Sequence, residues 1–162
     1  MSDFVFNIAK GRAHEMHRIV NDNVLANSAL IAVVLAEAGL ESDDVLRDYD
    51  TLAAVLAAAN NEPGQAAYNR KTWTDADIVA ATIDDTNNLV RLLHPTASWT
   101  TPAAGDNWAK FLICMDYDTT AGSDSDIVPI VAQDMKIAGQ IIIPAGTNIT
   151  WSNPNGYYVV SA

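Results

Sequence analysis

The densest group of chemically capable side chains is the loop from Asp116 to Asp126, DYDTTAGSDSD. Asp116, Asp118, Asp124 and Asp126, with Ser and Thr hydroxyls between them, supply the hard oxygen donors that calcium favours. The helix-loop-helix calcium pattern requires glycine at its sixth position and an acid at its twelfth, and neither falls in register here. The same residue types make an ordinary solvated connection, because short polar side chains hydrogen-bond their own backbone in turns. Two readings stand: a calcium site on these four aspartates, or a plain polar loop. No other cofactor is expected.

The remaining reactive side chains are scattered. His14 and His17 flank Glu15-Met16 on a helical stretch. A metalloprotease helix spaces its histidines four apart, with Glu directly after the first. Here the spacing is three and no third ligand follows, so the pair reads as two solvated histidines. His94 precedes Pro95 and has no Ser or Cys partner in view. Cys114, the single cysteine, lies between Ile113 and Met115 and reads as a small buried apolar residue; alone it excludes an intrachain disulfide. No nucleophile elbow, dinucleotide fingerprint or phosphate-binding loop occurs. The chain is expected not to be an enzyme. Trp73, Trp99, Trp108 and Trp151 fall in or beside strand-like segments, as core or inter-subunit anchors or as platforms for a sugar.

The elements that position these residues follow from periodicity. Phe4, Ile8, Arg12, Met16 and Val20 recur every four residues and predict an N-terminal helix interrupted only by Gly11. Residues 1–25 are expected to form a helical arm, packed on its own domain or docked on a neighbouring subunit through those five residues. Within Asn27–Ala38, the run Leu30–Leu35 is β-branched enough for a strand buried on both faces, although its alanines also suit a helix. Ser42-Asp43-Asp44 opens an alanine-rich helix over about 43–59, ended by Asn60-Asn61-Glu62-Pro63-Gly64. From Tyr68 onward, short strands between Gly, Pro, Asn and Asp turns are expected at 71–74, 89–94, 97–101, 109–115, 127–133, 140–143, 148–151 and 157–161. The expected fold is therefore α+β, mainly β. It has an N-terminal helix and one alanine-rich helix beside an antiparallel β-sandwich or small barrel, with residues 26–162 as a single β-rich domain.

Composition narrows the function. Twenty acidic against nine basic residues, a net charge of -11, leave too few cations for phosphate contacts, so nucleic acid is not an expected partner. The longest apolar run is too short for a membrane span. The N-terminus lacks the basic and apolar regions of a secretory signal, which points to synthesis in a cytoplasm.

Several blocks taken together resemble small virion structural proteins of tailed bacteriophages. They are FNIAKGR (6–12), NSALI (27–31), LRDYDTLAA (46–54), RKTWTDAD (70–77), DDTN (84–87), LIC (112–114), DYDTTAG (116–122) and DIVPI (126–130). The likeness covers about residues 6 to 130, and none of the blocks is a catalytic signature. The resemblance implies a component made in the bacterial host cytoplasm and incorporated into the virion. Its implied role is a capsid decoration, or cement, protein that binds the major capsid protein lattice, or alternatively a neck, tail or fibre-associated protein; the tryptophans and the strand-rich C-terminal part leave a carbohydrate- or receptor-binding module as a further alternative. It further implies other virion proteins as partners and a homo-oligomer, with a trimer as the usual form.

Overall fold

The architecture is organised by the two longest apolar strands, Ala29–Ala36 and Trp108–Asp116, which pair antiparallel from Ala29↔Asp116 to Ala36↔Trp108. The computed structural model describes residues 2–137 and 139–161. In chain order the elements are β1 (Phe4–Val5), a 3-10 turn (Asn7–Ala9), α1 (Ala13–Asn21), β2 (Ala29–Ala36), α2 (Asp43–Leu46), α3 (Leu52–Ala57), β3 (Lys71–Trp73) and β4 (Thr82–Asp84). They continue with β5 (Leu89–Leu92), β6 (Ala97–Trp99), β7 (Trp108–Asp116), β8 (Val128–Asp134), β9 (Lys136–Ile137), β10 (Gln140–Ile141), β11 (Ile149–Trp151) and β12 (Tyr158–Ser161). A five-stranded sheet runs β1-β8-β7-β2-β3, a three-stranded sheet β12-β5-β4, and β6-β11 and β9-β10 form two-stranded pairs. All pairings are antiparallel. Strand outweighs helix, 32% to 14%, and the sheets pack as a sandwich that does not close into a barrel.

Every residue of β2 is buried, because the sheet carries a core on each face. Ile31, Val33 and Leu35 with Leu112, Cys114 and Ala132 pack beneath Phe6, Leu46, Leu52 and Val55. Leu30, Ala32 and Val34 with Phe111, Ile113 and Met115 face α1 and the aromatic layer of Trp73, Trp99, Trp108 and Tyr157. Alternate side chains of one strand thus serve two cores, which is why the segment reads as continuous apolar sequence. Each fully buried Val, Leu or Phe contributes about 1.5–3 kcal/mol.

Two expectations are corrected here. Residues 1–25 are not one helix and not a separate arm: Phe4 and Val5 pair with Ala132 and Val131 as the edge of the large sheet. The helix begins only at Ala13, after Gly11 at φ 76°, a left-handed conformation that side-chain-bearing residues resist. The alanine-rich helix over 43–59 is two helices. Thr51 is extended and its hydroxyl caps the Ala54 N–H at 3.1 Å, so a new helix starts at Leu52. The free N–H groups of Leu52 and Ala53 then bond Ile127 O and Asp124 O, at 2.8 and 2.9 Å.

Candidate functional site

The acidic loop is built against a cation of its own chain. Arg70, just before β3, donates from Nη1 and Nη2 to the two carboxylate oxygens of Asp124 at 2.5 and 2.8 Å. Its Nε and Nη2 also bind Glu62, the closest contact being 2.6 Å. The Tyr68 hydroxyl donates to Glu62 Oε1 at 2.7 Å and accepts from the Val34 N–H at 3.0 Å, tying the cluster to the central strand. The Arg70 hydrogen bonds hold the Asp124 carboxyl below its ordinary range. Burial, reinforced by the Glu62 charge, raises the Tyr68 phenol.

The other three aspartates serve the loop backbone. Asp118 accepts from the Thr120 N–H and hydroxyl at 3.0 and 2.6 Å, which lowers its carboxyl. Asp116 accepts from the Asp118 N–H at 3.0 Å, and Asp126 from the Ser123 N–H at 2.9 Å. Gly122 turns the chain at φ 87°, where a Cβ would lie 2.8 Å from Asp126 Oδ2. An open groove of about 370 Å³ is lined by Asp116, Tyr117, Asp118 and Asp126. Asp124 points out of it toward Arg70, so the four carboxylates do not converge on one point. Among the described residues, no group of three or more His, Cys, Asp or Glu is placed to hold a metal. Asp124 therefore does not join Asp116, Asp118 and Asp126 as a donor to that groove.

His14 is exposed, but His17 is buried, which corrects the reading of two solvated histidines sharing a surface. His17 Nε2 lies 2.9 Å from Val79 O and Nδ1 2.9 Å from the Tyr157 hydroxyl. A carbonyl only accepts, so Nε2 carries the hydrogen and Nδ1 accepts from Tyr157. His94 donates from Nδ1 to Pro95 O at 2.7 Å and stacks on Trp73, with centroids 5.3 Å apart. Burial lowers the pKa of both imidazoles. Cys114 lies buried in the helix-covered core, and burial pushes its thiol up. Trp73, Trp99 and Trp108 are core residues and Trp151 is half-buried, so no open aromatic platform exists among them.

The proposed arm residues do not share a surface either. Met16 and Val20 are buried in their own domain, Phe4 and Ile8 pack half-buried on the helix-covered core, and Arg12 alone is exposed. Exposed aliphatic side chains stand elsewhere. In the three-stranded sheet Val90 is the cross-strand partner of both Ile83 and Val160, so the three form one row. Ile83 is 71% exposed and Val160 47%. With Asp84, Asp85 and Asn88 they border a groove of about 370 Å³. Compared with protein families, curated proteins and solved structures, the chain has no match.

Sequence reasoning missed one cluster. Lys110 on β7 has no exposed surface, and its ammonium meets Asp134 at 2.6 Å, Asp43 at 2.9 Å and the Ser2 carbonyl at 2.7 Å. Its signal was a lone cation inside the apolar run WAKFLICM. Asp43, expected to open a helix, spends its carboxylate here; Ser42 holds the cap position without a side-chain cap bond.

Proposed function

We propose that this chain is a bacteriophage virion structural protein, a capsid decoration protein that binds the major capsid lattice by surface complementarity. The observation that carries the reading is the apolar row Ile83–Val90–Val160, which leaves aliphatic side chains in water on a solvent-facing sheet. The sequence resemblance and the acidic, disulfide-free composition support the virion context. Ionisable groups committed to structural pairs, as in the Arg70 and His17 clusters, favour docking over turnover.

The docking face is thus moved from the N-terminal residues to the three-stranded sheet. Asp84 is already paired with Arg91 at 2.9 Å, which leaves Asp85 as the acidic edge of the row, so its complement is an apolar capsid surface with a Lys or Arg opposite Asp85. A specific contact buries roughly 1,200–2,000 Å² in total, so the row is the centre of a larger patch. Purified protein added to capsids that lack it should bind, and Ile83→Asp with Val160→Asp should abolish binding while the circular dichroism spectrum stays native. Undiminished binding by the double variant refutes this face. Absence of the protein from purified virions refutes the virion role, and a copy number of a few dozen or fewer per particle moves it to the neck or tail.

A further inference from the structure

A primary amine sealed against two carboxylates is a set of reactants as well as an ion pair. Lys110 and Asp134 are directly opposite on β7 and β8, and Nζ lies 2.6 Å from Asp134 Oδ1. We propose that Lys110 and Asp134 condense into an intramolecular amide cross-link, with Asp43 as the proton carrier. The bond formed joins Lys110 Nζ to Asp134 Cγ, the bond broken is a Cγ–O bond of Asp134, and one water leaves. An ammonium and a carboxylate become a neutral amide plus water, so no oxidant, activating reagent or net proton is required.

Each neighbour has a task in that step. Asp43 Oδ1, 2.9 Å from Nζ, takes a proton from the ammonium and passes it to an Asp134 oxygen, leaving a free amine to attack. It then carries a second N–H proton to the departing hydroxyl. The Ser2 N–H donates to the other Asp43 oxygen, Oδ2, at 2.6 Å and so fixes this carboxylate beside Nζ. Lys136 Nζ stands 3.1 Å from Asp134 Oδ2, where negative charge builds when Cγ becomes tetrahedral. The Phe4 ring, 5.0 Å from Nζ, and the absence of any exposed Lys110 surface keep water away from the amine. Reactants held at this distance gain an effective concentration far above any free in solution, of order 10⁵ M or more for well-aligned pairs.

The test is the intact mass of the full-length protein, denatured after folding and after prolonged incubation at physiological temperature. The expected mass is that of the sequence less one water. Proteolysis should yield a branched peptide containing Lys110 and Asp134 that survives hydroxylamine. Asp43→Asn should slow the mass loss by roughly 10²–10⁴-fold, and Lys110→Arg should prevent it. The full sequence mass after incubation overturns the proposal, because the cluster is then an ion pair and nothing more. A water loss confined to one unbranched peptide, or reversed by hydroxylamine, also overturns it by identifying a cyclic imide. Should either variant fail to fold, the mass of the unaltered protein decides the matter alone.

Discussion

Replacing Arg70 with Met isolates what fastens the acidic loop. The substitution keeps the aliphatic stem and removes a guanidinium that grips Asp124 and Glu62 at once, with contacts of 2.5 to 3.0 Å. The three side chains are 29%, 34% and 22% exposed, so solvent screens the cluster in part. Breaking a buried pair costs about 3–5 kcal/mol and an exposed one below about 1, which places Arg70→Met near 2 kcal/mol. For a domain of this size that is roughly a 4–8 °C fall in melting temperature. The pH dependence supplies an independent readout. Asp124 has a folded pKa below its ordinary 3.8. The unfolded state therefore binds its proton first as pH falls, and the contribution is present above about pH 4 and lost in more acid solution. Thermal melts from neutral pH downward should show the wild type losing its advantage over Arg70→Met in that acid range. Melting curves that coincide within about 1 °C at neutral pH, or a gap that fails to narrow in acid, refute the clamp.

The buried histidines predict a second acid effect at higher pH. His17 and His94 have folded pKa values below the ordinary 6.5, so their stabilisation is complete above that value and declines as pH falls below it; melts of His17→Gln should show a shallower decline. Gly122→Ala should cost about 1–2 kcal/mol through its left-handed backbone alone, with the Asp126 contact adding to it, as denaturant titration would measure. Cys114 should resist a thiol reagent in native buffer and react fully in denaturant; fast native labelling contradicts its burial. Calcium at millimolar concentration should give no calorimetric binding heat and leave the melting temperature unchanged, since Asp124 is held by Arg70.

Strands were the legible part of this chain. The uniformly buried run Ala29–Ala36 and the segments at 71–73, 89–92, 97–99, 108–116 and 128–134 lie close to where alternation and turn residues place them, because local pattern and tertiary burial agree. The N-terminus was illegible for a physical reason. Phe4, Ile8, Met16 and Val20 keep helical spacing by coincidence, since Phe4 is chosen for an edge strand and Met16 and Val20 for a helix that starts beyond Gly11. The helix over 43–59 was misread because alanine content outweighed Thr51, whose hydroxyl restarts the helix. In the acidic loop, residue types showed donors but not direction, and direction depends on Arg70, 54 residues away. Lys110 is a similar case: its partners Ser2, Asp43 and Asp134 lie far apart in the chain, and local reading weighs only neighbours.

The pairing of Phe4 with Ala132 has a consequence for biosynthesis. Phe4 and Val5 must wait for β8, synthesised about 6–25 s later at ordinary elongation rates of about 5–20 residues per second. Until then Phe6 has no Ile130 carbonyl to bond and the helix-covered core stands open on one side. A prematurely terminated chain consequently shows greasy surface to proteases and chaperones, and only a polypeptide translated past Asp134 can hide it.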